Sequence, residues 1–442
     1  MERELLERGG DAGPAAAPSS AHALLLERVW VISMFSLFAF LQGMCWAIPG
    51  PLSSAYSDLY GAGPFLVQLY VNLGPIVYLP LSIPFAFWMD LPGGVKTNTL
   101  LGISLVTSGQ VARTLASASP ASTALLTLSY VLNAAAGPIA MGAVGKISEA
   151  FFPPAQRATA TAIMAEGNLL GMAGAMAFGP LIVRDNTAAQ MASYNYALLA
   201  CCLVAQVGIM AHFPSHPRVA PSASAALVER EEAAMSLPLL WDALRKLALN
   251  PTFCVLALTY GFATGMFGSW ATVLSINLSG CSSLWVGWLS FSMTVFGGFG
   301  GIIMGRVADL FRRLKRALVV LLALSSVAFL AFAALVAEDP GAVCKADGSP
   351  GPAMVGLFLL GSFGGLCLNS TIPLFYEMVL ETSFPLPEAT VVRVKACERD
   401  RAPFVTSCAR DCLTFSRNKQ QQQKLHTHNI PPSPDRHADE YE

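Results

Sequence analysis

Long apolar runs separated by short polar connections dominate this chain. A membrane-spanning helix needs about 20 mostly apolar residues, and the sequence holds ten runs of that kind. The predicted spans are residues 29–49, 65–88, 98–117, 121–145, 159–183, 190–213, 252–276, 284–305, 316–337 and 353–376. The pattern predicts an all-α, polytopic membrane protein.

The polar connections divide the spans into a group of six and a group of four. The longest internal connection carries a charge cluster at residues 229–232 and then an amphipathic stretch, as expected of a linker between two bundles. The predicted domains are a cytoplasmic leader (1–28), a six-helix bundle (29–213), a cytoplasmic linker (214–250), a four-helix bundle (251–388) and a polar tail (389–442). We expect the tail to be disordered, because it is too polar to bury a core of its own.

Composition supports a membrane location and excludes several functions. Only 12% of the 442 residues are charged, against about 25% in soluble domains. A net charge of −1 offers no electrostatic basis for binding nucleic acid. The sequence has no Gly-rich phosphate loop for ATP, no catalytic constellation and no Cys/His spacing suited to a metal. We therefore predict neither an enzyme nor a bound cofactor or metal.

Basic residues orient the spans. With the N-terminus in the cytoplasm, the leader and the inner loops hold fifteen Lys and Arg residues, whereas the outer loops hold Arg113, Arg184 and Lys345. Cytoplasmic loops of membrane proteins carry this excess of positive charge.

Cys281 and Cys344 both fall in outer loops, where a disulfide between them is one option and two free thiols are the other.

Two similar polar motifs lie about 220 residues apart. The first runs from Asp90 to Lys96, and the second contains Asp309 and ends at Lys315. Each follows the second apolar span of its group and places an acid at a helix end, before a turn and several cations. A duplicated motif at half-length spacing is typical of secondary transporters built from two related bundles.

Three strings of the sequence resemble a known family. They are residues 35–46 in the first span, 157–163 at the start of the fifth span and 368–388 at the end of the tenth. On these strings the chain resembles the major facilitator superfamily, and within it solute carrier family 49, over residues 28–388. The resemblance implies two helical bundles around a central cavity and transport of a small metabolite, such as a choline- or pyridoxine-like vitamin. It also implies the lysosomal membrane, with the plasma membrane as the alternative.

The chain departs from the family pattern at its C-terminal end. Family members have twelve spans, whereas ten are predicted here and the polar tail stands in place of the last two. One hypothesis is therefore a facilitator-type secondary active transporter, with or without proton coupling. The other is a non-transporting truncated isoform that associates with a full-length carrier.

Leu5 and Leu6 follow Glu2 and Glu4, which is either an acidic dileucine sorting signal or a chance pair.

Two aromatic residues are candidate substrate ligands. Trp46 lies late in the first span. A Trp face attracts organic cations, and the matching family residue faces the central cavity; the alternative is an aromatic residue of the membrane interface. Tyr260, in the seventh span, resembles a family Tyr. We expect Tyr260 either to face Trp46 across the bundles or to pack with its hydroxyl at the inner interface.

Polar residues inside spans are the next candidates. A carboxylate in the hydrocarbon zone is costly and must face a cavity or a partner, which makes Glu166 the candidate proton-coupling residue. The alternatives are that Glu166 is solvated at the inner mouth or paired with Arg157. Asn168 and Asn369 are candidate substrate ligands, although such amides equally suit hydrogen bonds between neighbouring helices.

A set of charged residues on the inner side is the candidate gate. Alternating access needs inner contacts that break when the cavity opens, and ion pairs of small net energy suit that task. The predicted gate residues are Asp90, Lys96, Arg157, Asp309, Arg313, Glu377 and Glu381. For the cations, the alternative is that they serve only to set the topology.

Overall fold

The computed structural model of the protein describes most of the predicted spans and little of the termini. The described residues are 18–89, 91–118, 123–217, 241, 245–272, 274–278, 280–310, 314–338, 340–345, 347–372, 374, 375 and 378. The predicted tail at 389–442 and most of the predicted linker lie outside these ranges. Within the linker, residues 241 and 245–248 are helical.

The first half of the chain is a bundle of long helices. Its helices are α1 (Pro18–Ala47), α2 (Ser53–Tyr60), α3 (Pro64–Met89), α4 (Gly94–Ala118), α5 (Thr123–Phe151), α6 (Pro154–Ile182) and α7 (Ala188–Ala211). Helix α1 ends shortly before Pro49 and Pro51, residues that cannot continue a helix. Helix α6 begins at Pro154, where the missing N–H costs nothing. Helix α7 begins after Thr187, whose hydroxyl accepts a capping hydrogen bond of 3.3 Å from the N–H of Gln190.

The second half, as far as the structure describes it, is also built of long helices and a few short ones. Its helices are α8 (Pro251–Thr272), α9 (Leu274–Asn277), α10 (Ser283–Leu310), α11 (Leu314–Glu338), α12 (Pro340–Val343) and α13 (Ala353–Asn369). Each predicted span therefore coincides with a long helix. By length and apolarity alone, the described stretches able to cross a membrane are Leu24–Ala47, Pro64–Met89, Thr123–Phe151, Ala188–Ala211 and Leu314–Glu338. The predicted all-α, polytopic membrane fold is confirmed.

Helix boundaries differ from the predicted spans by several residues. Helix α1 begins at Pro18 rather than at residue 29, and α5 continues to Phe151 rather than ending at 145. The apolar run marks only the part of a helix that lies in hydrocarbon. Backbone hydrogen bonding continues beyond that depth, so hydropathy underestimates the length of these helices.

The packing of helices is similar in the two halves. In the first half, α5 packs against α3 and α4, and α13 packs against α10 and α11 in the second. The first half has two further extensive contacts, of α1 with α6 and of α4 with α7. Contact between α6 and α10 joins the two halves. Helices α3 and α8 also touch, less extensively.

A disulfide closes the loops of the second half. Cys281 precedes α10 and Cys344 follows α12, and their sulfurs are bonded with the Cα atoms 5.3 Å apart. Of the two options that the sequence left open, the structure therefore has the disulfide and not two free thiols. Disulfides persist on the non-cytoplasmic side of membranes, in agreement with the outer position expected for both loops.

Candidate functional site

Trp46 packs against the neighbouring helix α3. Its indole N–H donates a hydrogen bond of 2.8 Å to the carbonyl oxygen of Val71, and the side chain is half-buried. Gly74, one turn further along α3, makes room for the ring, because a Cβ there would lie 2.6 Å from the indole nitrogen. The hydrogen bond joins Trp46 of α1 to α3. The substrate-binding role of Trp46 and its alternative at the membrane interface both stay predictions.

Asn168 belongs to a network of side-chain amides between helices. Its amide nitrogen donates to the side-chain oxygen of Gln42 at 2.6 Å and to the carbonyl oxygen of Ala39 at 3.1 Å. Gln42 and Asn133 then exchange two bonds, each from a side-chain amide to the other residue's carbonyl oxygen and each 3.3 Å long. The donors of Asn168 are therefore used to join α6 to α1.

Glu166 lies at the interface between the two halves. It borders a cavity of about 150 Å³ that α6 and α10 enclose together, whose other lining residues include Leu169, Thr294 and Phe299. The carboxylate lies against Gly298, where a Cβ would fall 2.8 Å from its oxygen. Glu166 is half-buried and makes no hydrogen bond or ion pair with any described residue. The side chain of Arg157, its predicted alternative partner, is outside the described part.

Tyr260 and Asn369 pack within the second half. The ring of Tyr260 meets that of Phe375 edge to face, with centroids 5.4 Å apart. No ring contact joins Tyr260 to Trp46 in the described part of the chain. Asn369, at the end of α13, donates to the carbonyl oxygen of Gly365 at 3.0 Å and lies against Gly297 of α10. The substrate-binding roles of Tyr260 and Asn369 stay predictions.

Most of the predicted gate lies beyond what the structure describes. Lys96 is half-buried in the first turn of α4 and makes no ion pair with a described residue. The backbones of Arg157 and Asp309 lie on α6 and α10, but their side chains are not described. The remaining predicted gate residues lie outside the described ranges: Asp90, Arg313, Glu377 and Glu381.

Arg113 is the principal site residue that sequence reasoning misplaced. We assigned it to the outer side as a loop cation, whereas it lies on α4 with only 1% of its surface exposed. Its guanidinium donates to the carbonyl oxygen of Cys45 at 3.0 Å and lies 4.4 Å from the centroid of the Tyr130 ring. Its position inside the predicted span 98–117 was the available signal, because intramembrane arginines are rare and usually functional.

The chain is similar in sequence to known membrane transporters. Residues 35–383 match the Major Facilitator Superfamily. The solute carrier family 49 member 4 homolog of Xenopus tropicalis is 32% identical over 404 residues, covering 86% of this chain and 84% of that protein. The chain belongs to solute carrier family 49 of the Major Facilitator Superfamily. The choline/ethanolamine transporter FLVCR1 of Felis catus is 24% identical, over 86% of this chain and 66% of that protein.

Solved structures agree on the fold of this family 49 protein. A bacterial homolog of the human lysosomal transporter Spinster, inward-facing and unoccupied, has a TM-score of 0.56 at 16% identity, covering 83% of this chain and 78% of that one. The xylose transporter XylE from E. coli, partially occluded and inward open, has a TM-score of 0.53 at 13% identity, covering 82% and 86%. The protein is a multi-pass membrane protein of a transporter family rather than an enzyme.

Proposed function

We propose that the protein is a facilitator-type secondary transporter that moves a small choline- or pyridoxine-like solute across the lysosomal membrane. Its family membership supports transport, and the relative named as a choline/ethanolamine transporter supports an amine-bearing solute. The contact between α6 and α10 carries the proposal, because a polar group, Glu166, faces a cavity there. Secondary transporters bind solutes at the interface of their two repeats.

Trp46 supplies the proposed recognition of a cationic solute. Its N–H is committed to Val71, so the indole is held in one orientation. A fixed aromatic face attracts an ammonium or pyridinium group without an ordering cost at the time of binding. Tyr260, Asn168 and Asn369 are the further proposed ligands, and each would have to leave a contact described above to bind a solute.

Glu166 supplies the proposed proton coupling. A carboxylate at hydrocarbon depth without a partner is costly, and taking up a proton removes that cost. Because Glu166 lies between α6 and α10, relative movement of the two halves would change its access to water. Alternating exposure of one protonatable group is sufficient to couple proton flow to solute flow. The predicted inner charges, which include Asp90 and Asp309, would then close the cytoplasmic side.

Flux measurements test this proposal. The full chain is reconstituted in vesicles and uptake of radiolabelled choline and pyridoxine is followed with equal pH on both sides and with an acidic lumen. We expect saturable flux of one of the two solutes that responds to the pH gradient. Absence of saturable flux for both, alongside a family 49 relative that transports under the same conditions, would contradict transport by this chain. Location is tested separately by replacing Leu5 and Leu6 with Ala, which should move the protein to the plasma membrane.

A second candidate function is that of a non-transporting membrane partner of a related carrier. Helix α8 is poorly covered, with Val255, Leu258 and Phe262 exposed by 63%, 73% and 72%. Beside it, α8, α9 and α11 border an apolar groove of about 730 Å³. In the first half, the opening helix α1 packs extensively against α6. Helix α8 has no such neighbour among the described residues, so its face fits a helix of another membrane protein.

Co-purification distinguishes the two functions. A tagged twelve-span family 49 carrier is expressed together with this chain, and the complex is isolated in mild detergent. Stable association that Phe262→Ser disrupts, together with absence of flux, supports the partner function. A monomer that binds choline or pyridoxine supports the transporter.

A further inference from the structure

One face of helix α3 carries the three prolines that lie inside it: Pro75, Pro80 and Pro84. These prolines are exposed, as are Ile76, Leu79 and Ile83 between them, and we call these six residues the proline face. A proline has no N–H, so it cannot donate to the carbonyl oxygen four residues earlier in the helix. On α3 the carbonyl oxygens concerned belong to Val71, Ile76 and Pro80. Each of them needs a donor other than its usual helical partner.

The first of these three carbonyls is bonded within the protein. The indole N–H of Trp46 donates to the oxygen of Val71 at 2.8 Å, in place of the N–H that Pro75 lacks. No described side chain donates to the carbonyl oxygen of Ile76 or Pro80, and the nearby hydroxyl of Ser82 bonds to a different carbonyl. Two acceptors of α3 are therefore left for a donor from outside the described protein.

These two carbonyls lie at the depth of the lipid tails. Ile76 is at the middle of α3, which runs from Pro64 to Met89, and so lies near the centre of a hydrocarbon core about 30 Å thick. Backbone acceptors without a donor are not tolerated against lipid. Nevertheless this part of α3 is open, because Ile76 is 57% and Leu79 is 76% exposed. The proline face is therefore suited to water or a polar ligand rather than to lipid.

We propose that the proline face lines the path of the solute and that the carbonyl oxygens of Ile76 and Pro80 accept hydrogen bonds from its N–H or O–H groups. Helix α3 touches α8 of the second half, and solutes of secondary transporters bind between the two repeats. The two carbonyls are about 6 Å apart along the helix axis, so a solute with several donors can use both.

This inference rests on the proposed transport function and narrows its substrate class. Trp46 is bonded to α3 shortly before Ile76, so a cationic group on the indole face would lie beside the first free carbonyl. The favoured solute is then a cation that also donates hydrogen bonds. A cation without donors would leave both carbonyls unsatisfied and should bind more weakly.

Thiol labelling tests whether the proline face meets water, without relying on flux or on a solute. Leu79→Cys and Val204→Cys are made in a Cys201→Ser background, and the full chain in vesicles is treated with a charged methanethiosulfonate reagent. The reagent attacks thiolates, and a thiol in apolar surroundings stays protonated. We expect Leu79→Cys to react about tenfold faster or more than Val204→Cys, which is 68% exposed on α7, a helix without proline. Equal rates would overturn the proposal.

Restoring the missing N–H groups tests the role of the carbonyls. Pro80→Ala supplies a helical donor to the carbonyl of Ile76, and Pro84→Ala supplies one to the carbonyl of Pro80. Binding is measured by competition with radiolabelled choline. We expect each variant to weaken binding of ethanolamine about 2- to 10-fold, as for the loss of one hydrogen bond. Binding of tetramethylammonium, a cation without donors, should not change. Pro138→Ala is the control, at a buried proline inside α5, and should leave both affinities unchanged.

The outcomes distinguish failure of this inference from failure of the proposed function. If Pro80→Ala and Pro84→Ala change the two affinities equally or not at all, the carbonyls are not solute ligands, although the protein still binds amines. If the wild-type protein binds none of the three amines, the role of the carbonyls and the transport of amines fail together. Should the proline variants fold poorly, ethanolamine must slow the labelling of Leu79→Cys, and absence of this protection would overturn the proposal.

Discussion

The side chain of Asn168 on α6 donates a hydrogen bond of 2.6 Å to the side-chain oxygen of Gln42 on α1. Gln42 is buried and is bonded in turn to Asn133 of α5. Three helices are therefore joined by amides at a depth where water is scarce. Polar contacts of this kind fix which faces of two helices meet. Apolar packing selects these faces only weakly, because lipid tails are as apolar as the side chains of a neighbouring helix.

Replacing Asn168 with Leu should destabilise the fold by about 1–2 kcal/mol, because the buried oxygen of Gln42 loses its donor. The measurement is the unfolding midpoint in detergent. Asn72→Leu is the control, since the amide of Asn72 donates to Gln68 within its own helix. Equal decreases of the unfolding midpoint in the two variants would show that the hydrogen bond between α1 and α6 contributes no more stability than one within a helix.

Gly171 permits the close approach of α6 to α1. A Cβ at this position would collide with the carbonyl oxygen of Phe40 and lie 2.9 Å from the backbone nitrogen of Met44. Gly171→Ala should therefore cost about 1–3 kcal/mol through forced separation of the helices. Gly145→Ala, in open space on α5, should be neutral or slightly stabilising. A stable Gly171→Ala variant would mean that the two helices can move apart freely.

The positions of the helices could be predicted from the sequence because a lipid-exposed chain must satisfy its own backbone hydrogen bonds. Long apolar runs therefore become helices whatever their neighbours are. Asn168 could also be singled out, as a polar residue inside an apolar run. Its partner Gln42 could not, because the pairing depends on how α1 and α6 lie against each other.

The burial of Arg113 could not be predicted from the hydropathy of its own span. It lies near the end of an apolar run, so an assignment to the outer side fitted the excess of basic residues on the inner side. Tyrosines that α2, α5 and α7 contribute from distant parts of the sequence interact with it electrostatically: Tyr56, Tyr130 and Tyr194. Hydropathy is evaluated for each run separately, so it gives no information on which side chains of distant helices meet around a residue.

The disulfide between Cys281 and Cys344 should stabilise the second half. It links residues 63 apart in sequence, and closing a loop of this size contributes about 2–4 kcal/mol. We expect a reducing agent to lower the unfolding midpoint of the wild-type protein and to leave a double Cys281→Ser, Cys344→Ser variant unchanged. Cys201→Ser, at an exposed free thiol, should keep the wild-type response. An unfolding midpoint of the wild-type protein that the reductant leaves unchanged would contradict the prediction.

Trp46→Ala should weaken binding of a cationic solute by about 2- to 30-fold, the equivalent of about 0.5–2 kcal/mol for a cation on an aromatic face. Trp46→Phe removes the hydrogen bond to Val71 but retains an aromatic face, so it should lose less. The measurement is equilibrium binding of radiolabelled choline to purified protein. Trp30→Ala is the control on the same helix, where the indole N–H bonds to the carbonyl oxygen of His212. Unchanged binding in Trp46→Ala would leave this residue a packing role only.

Glu166→Gln should make solute flux independent of the pH gradient while leaving flux without a gradient measurable. Gln has nearly the shape of a protonated Glu, so it should mimic one protonation state permanently at the interface of α6 and α10. Asp58→Asn is the control, because Asp58 is an exposed carboxylate on α2 that bonds to Asn186 and does not line the cavity beside Glu166. If Glu166→Gln still responds to the gradient as the wild type does, the coupled proton binds at another residue. If the pH gradient affects flux in neither protein, the transporter is a uniporter and Glu166 contributes only to the contact between α6 and α10.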